Sequence, residues 1–391
     1  MRHALILLLC WSALAWSTEY HVSPTGNDSA PGTAAQPLAT PQRGVDLATQ
    51  PGDTVLLHTG TYGGSVRLTT SGVPGQPITL RAAPGQHATL TGGIALRPSA
   101  PLPQGTIAWV TIHGLELTGS GGISMQNAFQ VIITHNHIHH QPDQGISGNG
   151  YRVVIDGNHL EHCGPFDDPA AVNLYHGMYV GGTELVVTNN LWVDNLAYGV
   201  QLDGFPFDAA LQPGPEYAGA SRWLIAHNTF VHHTRAYGLV VWKDGARQNL
   251  ITQNLFVGNG GGIQFQHSGP GNLVTRNLFW QGEAPDIADT AGHASYTVEG
   301  SVHGDPRFVG VGDYHLQPSS PALDAGRALA LVPRDRDGIT RPQGTAVDLG
   351  AYERVVAPPE PTPGPGALRC SGEVQAVPGP LTLVCVPEAR R

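Results

Sequence analysis

The chain has 391 residues, of which only 13% are charged, and it carries a formal charge of −10 together with 51 glycines and 32 prolines. An acidic chain with so few cations excludes a phosphate-backbone binder, so no nucleic acid is expected as a partner. The abundance of turn formers suits many short strands joined by tight turns rather than long helices.

Residues 1–17 place Arg2 and His3 before ALILLLCWSALAW, the pattern of an export signal cleaved after Ala15 or Ser17. The apolar run is too short to span a bilayer, so no membrane insertion is expected. The mature chain is expected to be secreted, extracellular or periplasmic, and monomeric. Next, TPQRGVDLATQ at 40–50 predicts a short helix that would cap the N-terminal end of an apolar core. TVLLHTGTY at 54–62, ITLRAAPG at 78–85 and WVTIHGLEL at 109–117 predict the first coils of a repeat.

From there the repeat is explicit. Six apolar runs close on Asn136, Asn158, Asn190, Asn228, Asn254 and Asn277, with steps of 22, 32, 38, 26 and 23 residues. The short steps are one turn of a parallel β-helix, and the long ones are the same turn carrying an insertion. A second run follows each Asn (HIHH, HLEH, LWVD, TFVH, LFVG, LFWQ). A third, opening on Gly, follows at 122, 145, 177, 199, 238 and 262. Three short strands per coil give an all-β, single-stranded parallel β-helix whose inward aliphatics stack from coil to coil. The Asn residues are expected at a corner, each bonded to its counterparts above and below and each tolerating left-handed backbone geometry.

After the coils, GDPRFVGVGDYHLQPSSPALDAG and DRDGITRPQGTAVDLGAYE predict a C-terminal cap that closes the helix, so the β-helix is expected to occupy residues 18–356. Residues 357–367, with PPEPTPGPG, form a Pro-rich linker, and 368–391 a small appendage. Cys370 and Cys385 bracket a hairpin expected to carry a disulfide in an oxidising compartment, leaving Cys163 as a buried apolar residue.

YHVSPTGNDSAPGTAAQPLATPQ, PGDTVLLHTGTY and the Asn-ended coils resemble the right-handed parallel β-helix proteins of the polysaccharide-lyase (pectate-lyase-like) type. The DPRFVGVGDYHLQPSSPALDAG segment resembles the C-terminal end of many secreted bacterial β-helix proteins. The resemblance covers about residues 20–354. It implies a right-handed β-helix and an exported carbohydrate-active protein whose partner is a polysaccharide or oligosaccharide. Polyuronate lyases of this fold take the C5 proton with a Lys or Arg, often with calcium holding the carboxylate. Two departures stand out. The chain lacks the adjacent Asp cluster of the calcium-dependent pectate lyases, and it lacks the paired Asp motifs of polygalacturonases.

Aligning the Gly-opening strands on Ile146, Met178, Val200, Leu239 and Ile263 predicts an outward column of His176, Tyr198 and Tyr237 suited to stacking on sugar rings. Gln201 and Gln264 stand one residue after the alignment point, Asp203, Trp242 and Gln266 three after, and Lys243 and His267 one further on. The insertions 162–177 and 205–221 would wall this face. Lys243, the only lysine in the chain, and His176 are candidate bases. Tyr179 is the candidate acid, and Asp203 with Asp168 or Asp244 would be the pair that a hydrolase needs. Asp167, Asp168 and Asp203 are the carboxylates that would hold calcium. Three readings follow: a lyase cutting a uronate-containing glycan by β-elimination, a glycoside hydrolase, and a noncatalytic glycan-binding surface protein.

Overall fold

The computed structural model describes residues 17–168, 174–290, 292 and 296–355. Most of the expected export signal, the expected linker and the Cys370–Cys385 pair lie outside the described residues. The chain up to Arg354 is one compact unit, and a second unit begins at Val355.

The first unit is a parallel β-helix of three sheets. The first has eleven strands, from Glu19–Val22 to Tyr296–Glu299, and the second has ten, from Gly60–Tyr62 to Val302–His303. The third sheet, also of eleven strands, runs from Val66–Leu68 to Ile287–Asp289. Registers follow the period read from the sequence. On the first sheet Ile133, Ile155, Val187, Ile225, Ile251 and Val274 pair in succession, all buried. On the second, Trp192, Phe230, Phe256 and Phe279 do the same. Their rings stack nearly parallel at 6.0, 4.7 and 5.2 Å, because the spacing between hydrogen-bonded strands is also a comfortable offset-stacking distance.

The Asn ladder is continuous. Each side-chain amide donates to the carboxamide oxygen of the next Asn, at 3.0, 3.0, 2.9, 2.9 and 2.9 Å from Asn136 through to Asn277. The same oxygens accept the preceding coil's backbone N–H groups, as Asn190 does from Asn158 at 2.9 Å. In this way a buried corner that leaves the sheet ladder keeps its polar groups paired. One expectation is corrected. The left-handed residue is the one before each ladder Asn: His135, Gly157, Asn189, His227, Gln253 and Arg276 have φ from 54 to 67°. The Asn itself is held by its amide bonds, and its neighbour makes the corner.

The helix forms at Pro41–Leu47, with the Thr40 hydroxyl accepting from the Arg43 N–H at 3.2 Å, and it buries Pro41, Gly44 and Val45. It stops short of Gln50 because Pro51 disfavours helical geometry in the residue before it. Cys163 is a free, fully buried thiol.

Outward residues of the second sheet change character along the axis. His137–His139 and His159–Glu161 alternate polar, apolar, polar, whereas Leu191–Val193, Thr229–Val231 and Leu255–Val257 are buried on both faces. The C-terminal segment accounts for the change. An antiparallel hairpin, Phe308–Gly310 with Asp313–Leu316, leads into 317–354, and Tyr314, Leu316, Ala322, Leu349, Ala351 and Tyr352 cover that stripe. Arg341 anchors the segment. It is buried, bonds Glu353 at 2.9 Å and reaches the Asn189 side chain at 3.3 Å. Residues 305–354 therefore lie along the flank of several coils instead of closing the end of the helix, because the sheet offers them an apolar stripe there.

Candidate functional site

The third sheet brings the expected column together. Tyr179, Gln201, Val240 and Gln264 pair in register, as do Gly181, Asp203, Trp242 and Gln266. The glycine that opens each strand is required by close packing. At Gly199 a Cβ would lie 2.8 Å from both the Gly238 oxygen and the Phe230 ring. Over this face is a cavity of about 510 Å³ lined by Leu174, His176, Tyr179, Tyr198, Gln201, Trp242, Gln264 and Gln266. Seven of these eight were singled out in the sequence. Leu174, at the lip, was not, since an aliphatic in an insertion has no periodic neighbour to flag it.

The column is more enclosed than a free stacking platform. His176 and Tyr198 are 3% and 8% exposed and pack on each other at 5.1 Å. Tyr237 packs behind Tyr198 and outside the cavity wall, over Gly261, where a Cβ would collide with its ring. The wall left partly open is that of Tyr179, Trp242 and Gln266, since Gln201 and Gln264, at 7% and 9% exposed, are as enclosed as Tyr198. Gln266 is held by Gln264 at 2.7 Å, and Tyr198 Oη lies 3.4 Å from the Gln264 oxygen. His267 stands exposed at a left-handed corner, also off the wall, and Lys243 occupies the equivalent corner one coil before.

Asp203 is the electrostatic centre of the site. Burial lifts its carboxyl to about 6, against the opposing pull of the Phe205 N–H at 3.0 Å, of Lys243 and of a hydrogen bond from Tyr179. Burial, and then the Asp203 charge, hold the Tyr179 phenol well above its usual range, so it keeps its proton. Burial also drives His176 down to about 3. Its Nδ1 accepts from the Tyr198 N–H at 3.4 Å, which places the ring proton on Nε2. His176 is thus a neutral donor whose Nδ1 lone pair is engaged, which suits orienting a ligand better than taking a proton.

Lys243 Nζ sits 3.6 Å from the centre of the Phe205 ring and 4.2 Å from that of Trp242. Two aromatic faces attract the ammonium and fix it as a positive charge beside Asp203. Phe205, from the second insertion, went unmarked in the sequence because its partner is 38 residues away on the next coil. Beyond Phe205, a hollow of about 410 Å³ includes Arg222 and Arg247.

Asp167 and Asp168 lie exposed on the first insertion. Among the described residues, groups of ligand atoms that close to within 4.8 Å of one another include none of Asp167, Asp168 and Asp203. The three expected calcium ligands do not form one such group among the described residues, and Asp203 bonds Tyr179 and the Phe205 N–H.

A three-sheet parallel β-helix with a polar and aromatic cleft on one sheet defines the pectate-lyase-like class. The chain belongs to the Pel9A-like right-handed β-helix family, whose model matches residues 20–272. The chain is similar to the structure titled "The complex structure of XylC with xylose", at a TM-score of 0.54 and 14% identity over 73% of this chain and 68% of that one. Its similarity to pectate lyase Pel9A is at a TM-score of 0.49 and 16% identity, over 87% of this chain and 98% of that one. No curated protein sequence matches. At 14% identity the likeness to the first of these structures speaks for the fold alone.

Proposed function

We propose that this β-helix is a carbohydrate-active protein, a polysaccharide lyase that cuts a uronate-containing glycan by β-elimination. The observation that carries this reading is the Asp203–Tyr179 pair at the cavity edge with the Lys243 charge beside it. β-Elimination needs a base for the C5 proton, a cation to neutralise the adjacent carboxylate and an acid for the leaving oxygen. Asp203, ionised above about pH 6, takes the proton. Lys243 faces the substrate carboxylate. Tyr179 gives its proton to the leaving oxygen and regains one from Asp203 through their hydrogen bond, which resets both groups. The C5–H and C4–O bonds break, and a C4–C5 double bond forms.

The hollow beyond Phe205 adds Arg247 together with Arg222, which is paired with Glu184 at 3.2 Å, and Glu216, so Lys243 remains the cation nearest the cavity. Among the described residues the cavity lining contains no carboxylate, and Asp203 bears on it through its hydrogen bond with Tyr179, so the products separate elimination from hydrolysis. Export, expected from residues 1–17, fits an extracellular glycan.

The test is absorbance of unsaturated uronate product across polyuronates and glycosaminoglycans. Asp203→Asn and Tyr179→Phe should each lower kcat/KM by about 10²–10⁴-fold. No absorbance rise on any of these substrates would sink the lyase reading. New reducing ends without unsaturation would replace it with hydrolysis, and saturable binding without turnover with a glycan-binding role.

A further inference from the structure

The second sheet carries a cluster of histidines and carboxylates that the cleft does not use. His137 and His159 occupy matched positions on neighbouring strands, their rings stacked at 4.8 Å and 16°. Glu161 lies two residues beyond His159 on the same face. His137 Nε2 is 2.9 Å from one carboxylate oxygen and His159 Nε2 is 3.6 Å from the other. The three ligand atoms all lie within 4.8 Å of one another. His159 Nε2 is itself buried and has no hydrogen-bond partner, an expense that a native fold ordinarily avoids.

We propose that His137, His159 and Glu161 form a divalent-metal site, with zinc the cation that fits the donor set. Two imidazoles and one carboxylate are borderline-soft ligands of the kind zinc prefers over calcium or magnesium. In a tetrahedral zinc site, ligand atoms stand about 3.3 Å apart, and with all three already within 4.8 Å of one another only small side-chain adjustments separate them from that spacing. The parallel ladder holds His137 against His159 without help from a loop, so little ordering remains to be done when the ion arrives. His137 is 39% exposed, which leaves a route for the ion and a position for water.

A neighbouring triplet, Glu116, His137 and His139, shares His137 but is already engaged. Glu116 accepts from His87 and His139, at 2.8 and 2.9 Å, and from the Thr89 hydroxyl. It serves as an ionised neighbour, held down to about 2 against the opposing effect of burial by its bonds to Thr89, His139 and His87. Arg336, from the flanking segment, lies close enough to His159 to oppose an incoming cation, while Glu161 favours it.

The experiment uses untagged full-length protein stripped with a chelator, then titrated with zinc by calorimetry and with cobalt(II) by visible absorption. One saturable equivalent, intense cobalt d–d bands and a rise in Tm with zinc are expected. The bands should fall at least tenfold in Glu161→Gln and in His159→Asn, and persist in His58→Asn, which alters a histidine pair elsewhere on the coil stack. If Glu161→Gln unfolds, His137→Asn replaces it. The proposal is overturned by no saturable uptake, by uptake unchanged in Glu161→Gln or His159→Asn, or by uptake lost in Glu116→Gln but kept in Glu161→Gln. None of these readouts depends on glycan cleavage.

Discussion

At the scale of single residues, Asp203 has two measurable consequences. Its carboxyl rises from 3.8 to about 6 on folding, so the native state favours the protonated form. That contribution is complete below pH 3.8, is lost as pH rises through about 6, and leaves an ionised group in a poorly solvated place above it. Asp203→Asn should therefore raise stability at pH 8 by roughly 1–2 kcal/mol and leave it unchanged near pH 4, read from thermal unfolding at both values. In the wild type, kcat/KM should climb on an acid limb near pH 6 as the base deprotonates. Lys243 was legible in the sequence because a single lysine in a chain is conspicuous. Its ring partner Phe205 was not, because an insertion has no period to align. His176 was placed correctly on the cleft, but its depressed basicity comes from burial under Tyr198, which strand alternation alone does not reveal.

At the scale of the coil, the Asn ladder and the aromatic stack divide the work. The ladder pairs polar groups at a buried corner, and the stack fills the core beside it. Asn190→Leu would take the acceptor from the Asn158 N–H and remove the Asn190 amide's bonds to the Ile155 carbonyl and the Asn228 oxygen, while the Asn158 amide keeps the Ile133 and Asp156 carbonyls. With about 1–3 kcal/mol for each unsatisfied group and partial relaxation, the loss should reach roughly 2–4 kcal/mol, measured as a lower urea midpoint. Phe256→Ala, between two stacked rings, should cost about 3–5 kcal/mol in the same assay, and a loss under 1 kcal/mol would mean that the core collapses around the gap. Strand order, register and ladder were all legible because one period fixes them together. The left-handed corners were not. Histidine, glycine, asparagine, glutamine and arginine all occupy them, so geometry inherited from the stack overrides residue preference there.

At the scale of the molecule, the flanking segment is what the turn-rich C-terminal sequence, read as a closing cap, misplaced. DPRFVGVGDYHLQPSSPALDAG marked a terminal element without saying where it goes. The destination was nonetheless written in the coils. HIH and HLE alternate as half-exposed strands do, whereas LWV and LFV are apolar on both faces, with TFV differing only by Thr229, and a doubly apolar strand requires a cover. Arg341→Ala should release that cover, leaving Glu353 buried without its partner, at a loss of about 3–5 kcal/mol and with gain of binding by a hydrophobic dye.

The position of that cover also bears on biosynthesis. A chain made from its N-terminus can stack coils as they leave the ribosome, since each needs only the one before it. The aliphatic stripe of Leu191, Val193, Val231, Leu255, Val257 and Leu278, however, has no cover until residues 308–352 have also been made. For the whole of that interval the nascent protein presents an oily ridge to its surroundings, which is sealed only when the tail folds back.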